Sequence, residues 1–125
     1  MMAEHSTIDL AHAFGGADRV VVSDNLNRTL ATRSGPKAVR RVLDALGDIT
    51  DGWRVPDDGV PVAKLRLNFR CDNAPIGNLA VGRRFLVAHV FGTFLVRESD
   101  EDTMQRLLDT VGGANGEEFP DFTAY

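Results

Sequence analysis

A cysteine and a histidine in this chain could form a nucleophilic pair. Catalysis by cysteine needs a thiolate, which a neighbouring imidazole usually generates. Cys71 ends an alternating strand pattern on the same face as Phe69, and His89 lies in a second apolar stretch, so the two could meet across a sheet. No catalytic motif flanks either residue, and both residue types are common in protein cores. An enzyme, a hydrolase or transferase using Cys71 and His89, is therefore an alternative, and we predict no catalytic residue.

The start of the best-defined helix could bind an anion. A helix N-terminus presents free N–H groups to a phosphate, and Ser34 precedes an apolar stripe at helical spacing. Arg33 and Lys37 would add positive charge on either side of Ser34, which we expect to be the N-cap. The segment lacks the spaced glycines and the Gly-Lys-Ser/Thr of a P-loop. An anion site at Arg33, Ser34 and Lys37 is thus a further hypothesis.

One face of a predicted strand carries positive charge, because apolar and polar residues alternate over residues 62–71. The cations of this face and of the turn that follows are Lys64, Arg66, Arg70, Arg83 and Arg84. Proteins that read RNA on a sheet place aromatic side chains among such cations, so that bases can stack. Alternation places the aromatics of this chain on the buried faces. An anion- or RNA-binding module on the cationic face is therefore a second alternative, and we expect no nucleic-acid partner.

A long loop and the C-terminal segment combine aromatic residues with negative charge, as binding hot spots with electrostatic steering do. The loop, residues 48–61, carries the only tryptophan, which could equally fold down onto the end of the core. The candidate partner-binding residues are Trp53, Asp57, Asp58, Glu117, Glu118, Phe119, Asp121 and Phe122. We expect their partner to be a basic protein.

The spacing of apolar residues predicts an α+β fold. The predicted helices cover 8–14, 36–47 and 100–111, and the predicted strands cover 19–23, 28–33, 62–71, 76–81 and 85–96. Gly92 is expected to divide the last of these into two short strands. Short turns make consecutive strands antiparallel. We expect an antiparallel β-meander of four to six strands with two main helices packed on one face. Residues 1–113 would form this single domain, and residues 114–125 a flexible acidic tail.

Length and composition agree with one small globular domain. The chain has 125 residues, 43% hydrophobic and 26% charged, with a net charge of −4. Residues 1–97 carry +3 and residues 98–125 carry −7, so the chain is strongly polarised. A single cysteine excludes an internal disulfide and favours a reducing compartment. With neither a leader nor an apolar span in the sequence, we expect a cytoplasmic protein without a membrane partner.

These observations favour a small non-enzymatic protein-binding domain. Size, acidity and the lack of catalytic motifs suggest an inhibitor or immunity-type protein of bacterial kind, acting on a basic partner. The two histidines near the N-terminus, His5 and His12, lack a full ligand set, so we predict no metal and no cofactor. A homodimer through an exposed strand edge is a further option.

Overall fold

The computed structural model describes residues 8–26, 28–47, 49–56, 59, 63, 65–90 and 92–112. The helices are α1 (Leu10–Ala13), α2 (Pro36–Ala45) and α3 (Glu101–Gly112). The strands are β1 (Arg19–Asp24), β2 (Thr29–Ser34), β3 (Leu65–Cys71), β4 (Ala74–Val81), β5 (Phe85–Val90) and β6 (Thr93–Glu98).

The six strands form one antiparallel sheet in the order β2-β1-β3-β4-β5-β6. Strands β3 to β6 are a meander joined by short turns. The chain leaves β2 through α2 and returns at β3 on the far side of β1. The predicted α+β fold with a β-meander is confirmed.

All three helices contribute to one hydrophobic core on one face of the sheet. The stripe of α2 buries Val39, Val42 and Leu43, and α3 adds Met104 and Leu107. These side chains cover the inward residues of the strands, which are Val20, Val22, Leu65, Leu67, Phe69, Leu79, Val81, Leu86, Ala88 and Val90. Burial of this alternate set is what holds the strand register, because a slip of one residue would expose it.

The start of the chain packs on the middle of the sheet through one aromatic ring. Phe14, just after α1, lies flat on Phe69 of β3, with the ring centroids 4.1 Å apart and the planes 5° from parallel. Gly77 of β4, opposite Phe69 in the register, leaves the room that the Phe14 ring occupies. The glycine therefore serves the packing of the helix layer.

The long loop is attached to the edge of the sheet at β6. Arg54 and Val96 exchange two backbone hydrogen bonds, of 3.0 and 2.8 Å. The Arg97 guanidinium donates to the Asp51 carbonyl at 2.6 Å. Trp53 points into the core between these anchors. Ala63 packs on the opposite face of the sheet from Trp53.

The helix caps differ from those that the sequence suggested. Ser34 ends β2, and Gly35, at φ 95°, is the N-cap of α2, because the chain must turn sharply between strand and helix. Asp9 caps α1 through the His12 N–H, and Asp100 accepts from the Thr103 N–H at the start of α3. Residues 113–125 lie outside the described residues. None of the helices in the described part is long and apolar enough to cross a membrane.

Candidate functional site

The face of the sheet that the helices leave uncovered divides into two halves. In one half, Ala63 packs over Ala80, Val87 and Val96, which are all buried. In the other half, the side chains are partly or fully accessible to solvent. We call this second half the open patch and define it by Arg19, Val21, Thr32, Asn68, Arg70, Asn78, His89 and Phe94.

One row of the open patch crosses the whole sheet. Directly paired residues share a face, so the strand register gives the members of the row. They are, from β2 to β6, Thr32, Val21, Asn68, Asn78, His89 and Phe94. The row offers two amides, an imidazole and a benzyl ring in sequence. This mixture of polar and aromatic groups suits a polypeptide or a nucleic-acid base better than it suits a purely apolar partner.

An aromatic pair lies at the β6 end of this row. The rings of His89 and Phe94 are stacked, with centroids 4.3 Å apart and planes 11° from parallel. Phe94 is 45% exposed, one of the three large hydrophobic side chains exposed in the described part of the chain. The stack fixes the orientation of the Phe94 ring, so its outer surface is preorganised for a contact.

The centre of the row is held in place by hydrogen bonds. The Asn68 amide nitrogen donates to the Val21 carbonyl and to the Ser23 hydroxyl, both at 2.9 Å. These two bonds determine which way the amide points. The Asn68 Oδ1 has no partner among the described residues and remains an acceptor for a ligand.

Two arginines lie beside the row, directly opposite each other on β1 and β3. Arg19 pairs with Arg70 in the register, and like charges in that position repel unless an anion lies nearby. The Arg70 guanidinium donates to the Asn73 carbonyl at 3.3 Å, and Arg19 has no hydrogen bond or ion pair within the described chain. Asp18, the acidic neighbour of Arg19 in the chain, accepts a hydrogen bond from the Asp72 N–H at 3.0 Å. Arg19 is therefore the cation of this corner that is available to an anionic group.

A pocket of about 180 Å³ lies between these arginines and the aromatic pair. It forms where β4 carries a bulge, because the register skips Ile76 between Pro75 and Gly77. Arg70, Asn78 and His89 border the pocket. A side chain entering it would meet a cation, an amide and an imidazole.

Comparison with family models, with curated proteins and with solved structures finds no match for this chain. The function therefore has to be argued from the geometry of its own residues.

The structure removes one of the predicted partner-binding residues and does not describe the others. Trp53 is fully buried, with its indole N–H directed at the Ile49 carbonyl at 3.4 Å, so it belongs to the core and offers no surface to a partner. This is the second of the two placements that the sequence allowed. The remaining residues, Asp57, Asp58, Glu117, Glu118, Phe119, Asp121 and Phe122, lie outside the described residues.

The nucleophilic pair of the enzyme alternative is not formed. By strand alternation Cys71 follows Phe69 on the helix-covered face, whereas His89 lies opposite Asn78 in the open patch. The sheet itself therefore separates the thiol from the imidazole. Cys71 is half-buried at the end of β3.

The predicted anion site is dispersed. Ser34 is the last residue of β2 and does not cap α2, and Lys37 is exposed on the first turn of the helix. Arg33 lies opposite Val20, on the helix-covered side of the sheet. The three residues thus do not converge on one point. Within the described residues, no group of histidine, cysteine or acidic side chains could hold a metal ion.

The cationic face is present, with fewer free cations than the sequence suggested. Arg66 and Arg70 lie on the uncovered face as predicted, and Lys64 lies outside the described residues. Arg83 pairs with Glu101 of α3, and this guanidinium hydrogen bond and charge hold the pKa of Glu101 below its usual range. The prediction that the aromatics avoid this face is wrong for two of them. Phe85 lies on it by alternation with Val87 and His89, and Phe94 lies on it because the turn at Gly92 places Phe94 directly opposite His89.

Proposed function

We propose that the protein is a non-enzymatic domain that binds another protein, and that the open patch is its contact surface. The observation that carries this proposal is the exposed Phe94 ring, which stacks on His89 and lies on the same uncovered face as Arg19 and Arg70. Aromatic and arginine side chains are the residue types that contribute most at protein interfaces. An immobilised aromatic ring also loses little conformational entropy on binding.

The chemistry of the open patch defines the partner segment that fits it. The row of residues from Thr32 to Phe94 runs straight across six strands, at about 4.8 Å per strand, and so accommodates an extended chain of about seven residues. Acidic side chains would lie at Arg19 and Arg70, and an aromatic side chain would stack on Phe94. The proposed ligand is therefore an extended segment that carries acidic and aromatic residues.

This proposal changes the contact surface that the sequence favoured. The hypothesis of an acidic inhibitor for a basic protein relied on the loop and on the C-terminal segment, and it stays a prediction. A second candidate, single-stranded nucleic acid on the open patch, is favoured by the exposed Phe94 ring and by the free acceptor on Asn68. The acidic net charge of the chain disfavours it.

Selection of peptides from a random library on the full-length protein tests the proposal. We expect the selected peptides to combine aspartate or glutamate with an aromatic residue. Phe94→Ala should weaken the binding of a selected peptide by about thirtyfold, the effect typical of a hot-spot residue. Leu26→Ala is the matched control, because Leu26 is also exposed but lies in the turn between β1 and β2.

A second matched pair tests the charge. Arg70→Ala should weaken binding of the same peptide, whereas Arg84→Ala, at an exposed arginine of the β4–β5 turn, should leave it unchanged. Equal losses in the paired variants, or selected peptides without acidic residues, would refute the proposal. Tighter binding of a short oligouridylate, sensitive to Phe94→Ala, would replace it with the nucleic-acid candidate.

A further inference from the structure

We propose that the C-terminal segment of this chain, residues 113–125, docks on the open patch of the same molecule and competes with the partner. This inference rests on the proposed function, because it assumes that the patch binds an extended acidic and aromatic segment. The first argument is composition. The segment contains three acidic and three aromatic residues and no lysine or arginine, in the order Glu117, Glu118, Phe119, Asp121, Phe122 and Tyr125.

The charge of the segment complements that of the patch. Arg19 and Arg70 lie opposite each other in the strand register, and Arg19 has no partner among the described residues. Arg70 and Phe94 are three strand spacings apart, about 14 Å. Glu118 and Phe122 are four residues apart and would span about 13 Å in an extended chain, so one segment could bring a carboxylate to the arginines and a ring to Phe94. Pro120 restricts Phe119 to an extended conformation, which suits a segment that lies across strands.

The path of the chain allows the segment to reach the patch. Helix α3 begins beside the β4–β5 turn, where Glu101 binds Arg83, and also contacts β2, so its last turns lie near the β2 edge. From there the segment must pass around one sheet layer of about 10 Å and cross five strand spacings, about 24 Å. Thirteen extended residues span about 43 Å, which is sufficient to reach Phe94 at the far side.

Covalent attachment makes even a weak contact effective. A short linker gives an effective concentration of about 1 mM, so a segment that binds with a Kd of about 0.1 mM would occupy the patch about 90% of the time. An external peptide would then bind the intact chain about tenfold more weakly than it binds a chain whose segment cannot dock. The C-terminal segment would thus set a threshold of affinity that a true partner must exceed.

The test compares a selected acidic–aromatic peptide on full-length chains. The double variant Phe119→Ser/Phe122→Ser should bind the peptide about tenfold more tightly than the unaltered chain. Asn115→Ser, in the same segment, is the control and should change nothing. The C2 proton of His89 should also shift in the double variant, because an aromatic ring leaves the neighbourhood of its imidazole.

The outcomes separate this inference from the proposed function. Equal affinity of the peptide for both chains would refute docking of the segment and leave the proposed function standing. No binding to either chain would refute the proposed function. A His89 shift that depends on protein concentration would assign the docked segment to a second copy, and would overturn docking within one molecule.

Discussion

Substitution of a single glycine tests how tightly the first helix packs on the strands that carry the open patch. Gly77 lies in β4 between the bulge and Asn78, with Phe14 on one side and the β5 backbone on the other. A Cβ at this position would stand 2.5 Å from the His89 carbonyl oxygen and 2.7 Å from the Phe14 ring. The Gly77→Ala side chain would therefore press on both the core and the strand that carries His89.

The contacts set the size of the effect. An optimal non-bonded separation is about 3.5 Å, so both neighbours would have to move by roughly 1 Å. Neither is free to do so, because Phe14 is stacked on Phe69 and the His89 carbonyl is part of a strand. Overpacking of this kind costs about 2–3 kcal/mol, and the lower entropy of an unfolded alanine returns about 0.5–1 kcal/mol. We expect Gly77→Ala to lower the free energy of unfolding by about 1–2.5 kcal/mol.

Urea unfolding followed by far-UV circular dichroism measures this change, and tryptophan fluorescence reports it independently because Trp53 is fully buried in the folded state. Gly16→Ala is the matched control. A Cβ at Gly16 would meet only the Ile76 Cδ1, at 4.0 Å, so the free energy of unfolding of Gly16→Ala should stay within about 0.5 kcal/mol of the parent value. A Gly77→Ala protein as stable as the Gly16→Ala protein would refute the packing argument.

Two more predictions concern stability. Trp53→Ala should lower the free energy of unfolding by about 3–5 kcal/mol, since the indole is fully buried, whereas Val55→Ala at an exposed neighbour should have little effect; urea unfolding compares the two. Burial disfavours ionisation of Asp24, but hydrogen bonds from the Arg28 backbone and guanidinium and from the Leu26 N–H outweigh it and lower its pKa. Because the pKa of Asp24 is lower in the folded than in the unfolded protein, the ionised carboxylate stabilises the fold at pH values above the ordinary aspartate pKa. This stabilisation is lost as the pH falls through the lowered pKa. Between about pH 5 and pH 2, the free energy of unfolding, measured by urea unfolding at each pH, should therefore fall less steeply for Asp24→Asn than for the parent.

The parts of the fold that the sequence predicts are those with strong periodicity. Helix α2 repeats its apolar residues at helical spacing, and β3 alternates without interruption from Leu65 to Phe69, so burial and secondary structure agree. The strand order does not follow from periodicity, because alternation of apolar and polar residues does not show that β1 lies between β2 and β3. That arrangement depends on how α2 crosses the sheet, which is a property of the tertiary structure.

Local rules fail where tertiary contacts decide. Serine is a good N-cap, yet Ser34 continues the ladder with Arg19 and leaves the cap to Gly35. Trp53 lies in a segment without periodicity, and its indole points inward where the Arg54–Val96 backbone hydrogen bonds and the bond from Arg97 to the Asp51 carbonyl fix this segment against β6. No pattern within the loop itself predicts those bonds, so both an exposed and a buried tryptophan were consistent with the sequence.

The open patch was missed because two hairpin turns alter which residues share a face. If residues are assigned to alternating faces without interruption through Gly92, His89 and Phe94 fall on opposite faces of the sheet. In a two-residue hairpin, however, residues equally distant from the turn lie opposite each other on the same face, and His89 and Phe94 are such a pair. The β3–β4 hairpin needs a further correction: Cys71 opposes Ala74, and a strict ladder would then place Asn68 opposite Gly77. The bulge that skips Ile76 shifts the pairing by one residue and brings Asn78 onto the uncovered face. Pro75 within the strand and Gly77 two residues later indicate such a bulge, because proline is tolerated inside a sheet mainly at bulges and edges. A reading of the sequence that counts outward from each turn and places a bulge at that proline would therefore recover the row from Asn68 to Phe94.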